Sequence, residues 1–145
     1  MVNTNFLGAI RVTKEILPYF EKQGYGKCLY NASLSSYFGL PYAGGYGSSK
    51  AGLVSFLESI QPQMRLKNID IQVINHGFVK TRLTDKNDFV MPQIMMPKKT
   101  AKLIFEGMQK DSFEIRFPFK LSLFLRVLRV LPYKLSLYIT KGLLK

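Results

Sequence analysis

A single cysteine, Cys28, stands in the 145 residues. It has no partner for an internal disulfide, which suits a reducing, cytoplasmic setting. The Asn31-Ala32-Ser33 glycosylation pattern is therefore discounted. No run of about 20 uncharged apolar residues occurs, so no membrane span is expected. The chain does not open on a charged segment followed by an apolar one, so no signal peptide is expected. Acidic residues are scarce: nine, against 21 Lys and Arg, for a formal net charge of +12. Residues 119–145 contain no Asp or Glu and hold six Lys and Arg, so half the net charge lies in the last 27 residues. The remainder is unremarkable for a soluble enzyme. What is present is globular. A hydrophobic content of 47% argues against disorder, and the length allows one ordinary domain at most. No metal-ligand set is assigned.

The apolar periodicity alternates between helix and strand. Residues 3–22 read as a helix, with Phe6, Ile10, Ile16, Leu17 and Phe20 on one stripe and Pro18 expected to kink or end it. Gly24-Tyr25-Gly26 reads as a turn, 27–32 as a buried strand and 33–45 as a loop. A helix from about Tyr46 to Leu66 follows, with Pro62 expected to bend or end it early. Residues 69–74 form a second strand, which His76-Gly77 ends. Residues 79–96 look irregular, with Met91, Met95 and Met96 as adaptable packing or as a cover for a substrate. A helix over 97–110, a strand over 113–117 and two helices broken at Pro132 complete the chain. The alternation predicts an α/β fold with a parallel sheet.

The chemistry concentrates at Tyr46-Gly47-Ser48-Ser49-Lys50, with Ser33 thirteen residues upstream. Residues four apart share a helix face. An ammonium beside a phenol favours the phenolate and eases proton transfer at a carbon–oxygen bond. The surrounding residues complete a pattern. Asn5 lies in Asn5-Phe6-Leu7-Gly8, Ser33 ends a strand, and Tyr46-x-x-Ser49-Lys50 follows. Asn75-His76-Gly77-Phe78-Val79-Lys80-Thr81 comes after the next strand.

On these elements residues 1–118 resemble the short-chain dehydrogenase/reductase family, and 119–145 read as a separate basic helical tail. The resemblance implies the second half of a Rossmann-like, doubly wound parallel sheet. It implies NAD or NADP as cofactor and hydride exchange between an alcohol and a carbonyl compound. It assigns Asn5, Ser33, Tyr46 and Lys50 to catalysis: Tyr46 as acid/base, and Lys50 as its electrostatic partner and a ligand of the nicotinamide ribose. Ser33 would hold the substrate oxygen, and Asn5 a relay water. Tyr46, Lys50, Gly77, Phe78 and Thr81 would contact the cofactor. His76 occupies the family's usual proline position and reads as a loop residue with a satisfied ring. A homo-oligomer is also implied, and Phe78, Phe89, Met91 and Met95 suggest an apolar substrate.

The Gly-rich turn that cradles a dinucleotide pyrophosphate is missing. Tyr42-Ala43-Gly44-Gly45-Tyr46-Gly47 does not fit it. The chain is therefore expected to be the C-terminal part of a longer enzyme or a truncated product. The alternative is a non-catalytic remnant or a membrane-associated interaction module.

In the tail, Ser122, Arg126, Arg129 and Tyr133 form one polar stripe, and Lys134, Lys141 and Lys145 a second. The broad Leu/Phe/Val face is expected either to pack on protein or to lie in a membrane interface. Nucleic acid is disfavoured as a partner.

Overall fold

Three parallel strands organise the computed structural model, which describes residues 1–144. They are β1 (Gly26–Asn31), β2 (Ile69–His76) and β3 (Glu114–Phe117), in spatial order β1-β2-β3. The register runs from Gly26 opposite Ile69 to Asn31 opposite Ile74, and from Val73 opposite Glu114 to His76 opposite Phe117. Helix α1 (Gly8–Gln23) leads into β1, α2 (Gly44–Arg65) joins β1 to β2, and α3 (Pro97–Met108) joins β2 to β3. This is the expected α/β arrangement. The central strand β2 is buried along most of its length, as a parallel strand covered on both faces must be.

Each face has its own core. Ile69, Ile71 and Val73 pack with Leu53, Leu57 and Met64 of α2 and with Leu17 and Phe20 of α1. The opposite face packs Ile74, Ile115 and Phe117 with Leu103, Ile104 and Met108 of α3. β1 stands at one edge of the sheet with its outer side unpaired among the described residues.

Neither internal proline ends its helix. α1 continues past Pro18 to Gln23, and α2 past Pro62 to Arg65. A proline removes one backbone bond, but Phe20 and Met64 beyond them pack into the core and hold the last turn. α1 stops at Gly24, whose φ of 83° lets its N–H reach back to Phe20 O at 2.9 Å. α2 begins two residues before Tyr46. β2 runs on through His76, whose Nδ1 lies 2.7 Å from Gly77 O and whose ring stacks on Phe117. The ring is satisfied, as expected. Residues 79–96 are not wholly irregular: Val79 bridges to Met95, and Thr84–Lys86 form a short 3₁₀ turn. Met95 is buried in the core, whereas Met96 is exposed.

The tail forms α4 (Phe119–Val130) and α5 (Tyr133–Lys141), broken at Pro132. Its orientation decides which face the protein covers. Ser122, Arg126 and Arg129 turn toward the protein body, not away from it. Ser122 is fully buried, Arg126 pairs with Glu114, and Arg129 Nη1 donates to Tyr37 O at 3.4 Å. Tyr133 leaves this stripe and is exposed. Leu125 and Leu128 pack with Leu34 and Tyr37, while Leu123, Phe124, Val127 and Val130 face outward. Lys145 lies outside the described residues.

Candidate active site

Three local devices bring the predicted residues together around the start of α2. The first is Gly47. A side chain added there would stand 3.3 Å from Ser35 O and push it back by a few tenths of an ångström, so glycine lets this turn lie close to the loop that follows β1. The second is Asn5, in a π-helical turn over Asn3–Leu7 that precedes α1. Such turns widen a helix and re-aim its side chains. Asn5 Nδ2 donates to Ser49 Oγ at 3.2 Å, and Ser49 Oγ donates to Tyr46 O at 2.7 Å. The third is Lys50. Its Nζ donates to Asn31 O, at the end of β1, at 2.6 Å.

Lys50 is 8% exposed, and burial pushes its ammonium below the ordinary lysine value. Its Nζ lies 5.7 Å from the centroid of the Tyr46 ring. One of three ammonium donors is taken by Asn31, which leaves donors for another ligand.

Ser33 takes an extended backbone and caps the 3₁₀ turn Leu34–Ser36. Its Oγ accepts from Ser35 N at 3.2 Å and from Ser35 Oγ at 3.0 Å. A hydroxyl with both lone pairs engaged keeps its own proton to donate. A hydroxyl so held suits a donor to a carbonyl or alkoxide oxygen.

The segment after β2 is less closely tied to this cluster. Gly77 N donates to Phe117 O at 2.8 Å, and a side chain at Gly77 would stand 2.8 Å from Pro118 Cδ. Phe78 O accepts from Met95 N at 2.9 Å, and the Phe78 ring meets Phe89 edge-on. Thr81 is exposed and bonds within its own turn, its N–H donating to Thr84 Oγ1 at 2.7 Å. Contacts thus tie Asn5 to the Tyr46–Lys50 turn through Ser49, and tie Lys50 to Asn31, two residues before Ser33. The bonds of Ser33 itself go to Ser35, and Thr81 stands outside these contacts.

Sequence reasoning missed a buried polar network beside Ser33. Ser36 Oγ donates to Asn75 Oδ1 at 3.2 Å, and Asn75 Nδ2 donates to Glu114 Oε1 at 2.7 Å. Tyr37 and Arg126 also donate to the Glu114 carboxylate. Two signals were available: the serine density of Ser33-Leu34-Ser35-Ser36, and Glu114 as the last acidic residue of the chain.

A family model described as short chain dehydrogenase matches residues 1–89, which include Asn5, Ser33, Tyr46, Lys50, Gly77, Phe78 and Thr81. An uncharacterized oxidoreductase of Myxococcus xanthus is 32% identical over 132 residues, covering 91% of this chain and 52% of the relative. A 3-ketodihydrosphingosine reductase of Bacteroides thetaiotaomicron is 30% identical over 87 residues, covering 60% of this chain and 32% of the relative. The chain thus spans about half, or less, of the length of these curated relatives. Among solved structures, a short-chain dehydrogenase from Burkholderia cenocepacia in complex with NADP superposes with a TM-score of 0.81 at 14% identity. That alignment covers 99% of this chain and 57% of the other. A 7beta-hydroxysteroid dehydrogenase gives 0.78 at 16% identity, covering 97% and 57%.

Proposed function

Because the chain belongs to the short-chain dehydrogenase family, we propose that it carries the proton-transfer half of a nicotinamide-dependent oxidoreductase that interconverts an alcohol and a carbonyl compound. The observation that carries this reading is the buried Lys50 ammonium 5.7 Å from the Tyr46 ring centroid and bonded to Asn31 O at the end of β1, with Asn5 held to the same turn of α2 through Ser49.

Each residue has a physical task. The Tyr46 phenol gives its proton to the substrate oxygen during reduction and takes it back during oxidation. The Lys50 ammonium stabilises the phenolate left behind. Ser33, its lone pairs held by Ser35, donates to the substrate oxygen and steadies developing charge. Asn5 fixes the first turn of α2 through Ser49 and keeps its carbonyl oxygen for a relay water.

The donor set fits the ribose and nicotinamide end of NAD or NADP. Lys50 has free donors and Tyr46 a hydroxyl suited to ribose oxygens, with Gly77, Phe78 and Thr81 assigned to the amide. When bound, the nicotinamide supplies or accepts the hydride. The residues present include no Gly-rich turn for the pyrophosphate. We assign that part to sequence upstream, as the partial coverage of the relatives supports. A cytoplasmic homo-oligomer is the setting we propose, with an apolar substrate beside Phe78, Phe89 and Met91. Met95 belongs to the packing instead.

The test is turnover with NADH or NADPH over a panel of ketones, aldehydes and alcohols, by the protein with its native upstream sequence. Tyr46→Phe is expected to lower kcat at least about 100-fold while changing cofactor Kd little. Retained turnover removes Tyr46 from the proton-transfer role. A second reading, a non-catalytic remnant, rests on the same partial coverage. Under either reading the 145 residues alone bind nicotinamide cofactors weakly; tight NADPH binding by them would contradict the missing pyrophosphate site.

A further inference from the structure

The C-terminal helices carry apolar residues on both an inner and an outer face. Their small hydroxyl residues face the protein. Ser122, Ser136 and Thr140 are all buried, and each returns its hydroxyl to a carbonyl of its own helix: Phe119 O at 2.9 Å, Tyr133 O at 3.3 Å and Leu137 O at 3.2 Å. These short, self-satisfied side chains let α4 lie close to the loop that carries Leu34 and Tyr37, with Ile139 of α5 packed against the same cluster.

Leu125 and Leu128 share that inner face, while a second set of bulky residues points the other way. On α4, Phe119, Leu123, Val127 and Val130 follow helical spacing along one outer face, and all are exposed. On α5, Leu135, Leu137 and Tyr138 are 47%, 56% and 75% exposed. Contiguous apolar exposure of this kind marks an interaction surface. Around it stand Lys120, Lys134 and Lys141, all exposed, and residues 119–145 contain no acidic side chain.

We propose that the outer face of α4 and α5 docks on a bilayer surface bearing anionic headgroups, with Leu123, Phe124, Val127 and Leu137 entering the headgroup–acyl boundary. The charge selects the occupant. Two copies meeting through this face would oppose two sets of lysines with no carboxylate from residues 119–145 between them. An anionic leaflet neutralises them instead. Exposed Tyr133 and Tyr138 suit the same boundary, where aromatic rings gather. No helix among the described residues is long and apolar enough to span, so the contact is peripheral. The inference does not depend on the oxidoreductase reading.

The experiment is flotation of the 145-residue chain with phosphatidylcholine vesicles, with and without phosphatidylserine. Binding is expected with phosphatidylserine, and to weaken as salt is raised. Each of Lys120→Gln, Lys134→Gln and Lys141→Gln should weaken it about fivefold. The double variant Leu123→Ser with Val127→Ser should weaken it at least about tenfold. These residues lie on the outer face, and circular dichroism checks that the fold is retained. Since the chain has no tryptophan, quenching of tyrosine emission by brominated lipid provides a second, variant-free readout. Absence of flotation and of quenching overturns the proposal. So does a lipid-independent dimer, seen in the ultracentrifuge, that the Leu123/Val127 variant dissociates and vesicles do not.

Discussion

Arg126 on α4 donates to the Glu114 carboxylate at the start of β3. The Glu114 side chain is only 17% exposed and also accepts from Tyr37 and Asn75. Removing one partner from a buried carboxylate costs more than removing a surface ion pair. Arg126 is itself 45% exposed, so Arg126→Met is expected to cost only about 1–2 kcal/mol in urea denaturation. Glu114→Gln combined with Arg126→Met should be non-additive by about 1 kcal/mol. Additive losses would mean that the pair does not join tail to sheet.

The same network governs an alkaline transition. Burial, reinforced by the hydrogen bond and charge of Glu114, pushes the Tyr37 phenol up to about 12 from 10.0. The folded chain therefore holds this proton more tightly than the unfolded chain. The resulting stability is fully present below pH 10 and declines as pH rises toward about 12. Ultraviolet titration of phenolate should show Tyr37 ionising late, and earlier in Glu114→Gln. An unchanged Tyr37 titration in that variant would remove Glu114 as a cause.

Gly77 meets Pro118 so closely that a side chain would stand 2.8 Å from Pro118 Cδ. Gly77→Ala is expected to cost about 1–3 kcal/mol through overpacking. It should also loosen α4, seen as faster proteolysis within residues 119–130. Native-like resistance would show that the proline yields freely.

Lys50 places a charge where burial disfavours it, and its folded value falls below the ordinary 10.5. Between the two values the unfolded chain binds more protons, so stability rises with pH across that window. Below the window the full cost of the buried ammonium is present. Urea midpoints of native protein minus Lys50→Met should increase as pH approaches 10.5. A flat difference would mean that the ammonium reaches solvent.

Ser33 and Ser35 should separate in kinetics. Ser33→Ala removes the hydroxyl proposed to meet the substrate oxygen and should lower kcat about 100-fold or more. Ser35→Ala removes only the group that orients it, and should cost roughly tenfold, with fold and cofactor binding retained. Equal losses would make Ser33 another structural cap.

Much of the architecture was legible because it rests on local periodicity. The three strands, the helices between them and the break at Pro132 all follow from apolar spacing and turn residues. Both helices run past their internal prolines, as the ranges 3–22 and 46–66 expected. A missing backbone bond is a local cost, while Phe20 and Met64 add core packing against distant segments. The Asn5 π-helical turn left no readable signal, since its register depends on Ser49, 44 residues away.

The sequence by itself determined the chemical types at the site: a phenol and an ammonium one helical turn apart, a serine at a strand end, and an asparagine upstream. It also determined that the tail is basic and free of acid. Only the tertiary structure decided that Ser35 holds both Ser33 lone pairs, that Lys50 is buried against Asn31, and which face of the tail turns outward. Helical periodicity defines two faces without saying which one the protein covers. That choice came from Glu114 and the Tyr37 loop, which engage Arg126 and Arg129, while Ser122 packs inward at full burial. Leu125 and Leu128 pack inward with it, and Phe119, Leu123, Phe124, Val127 and Val130 are left facing out.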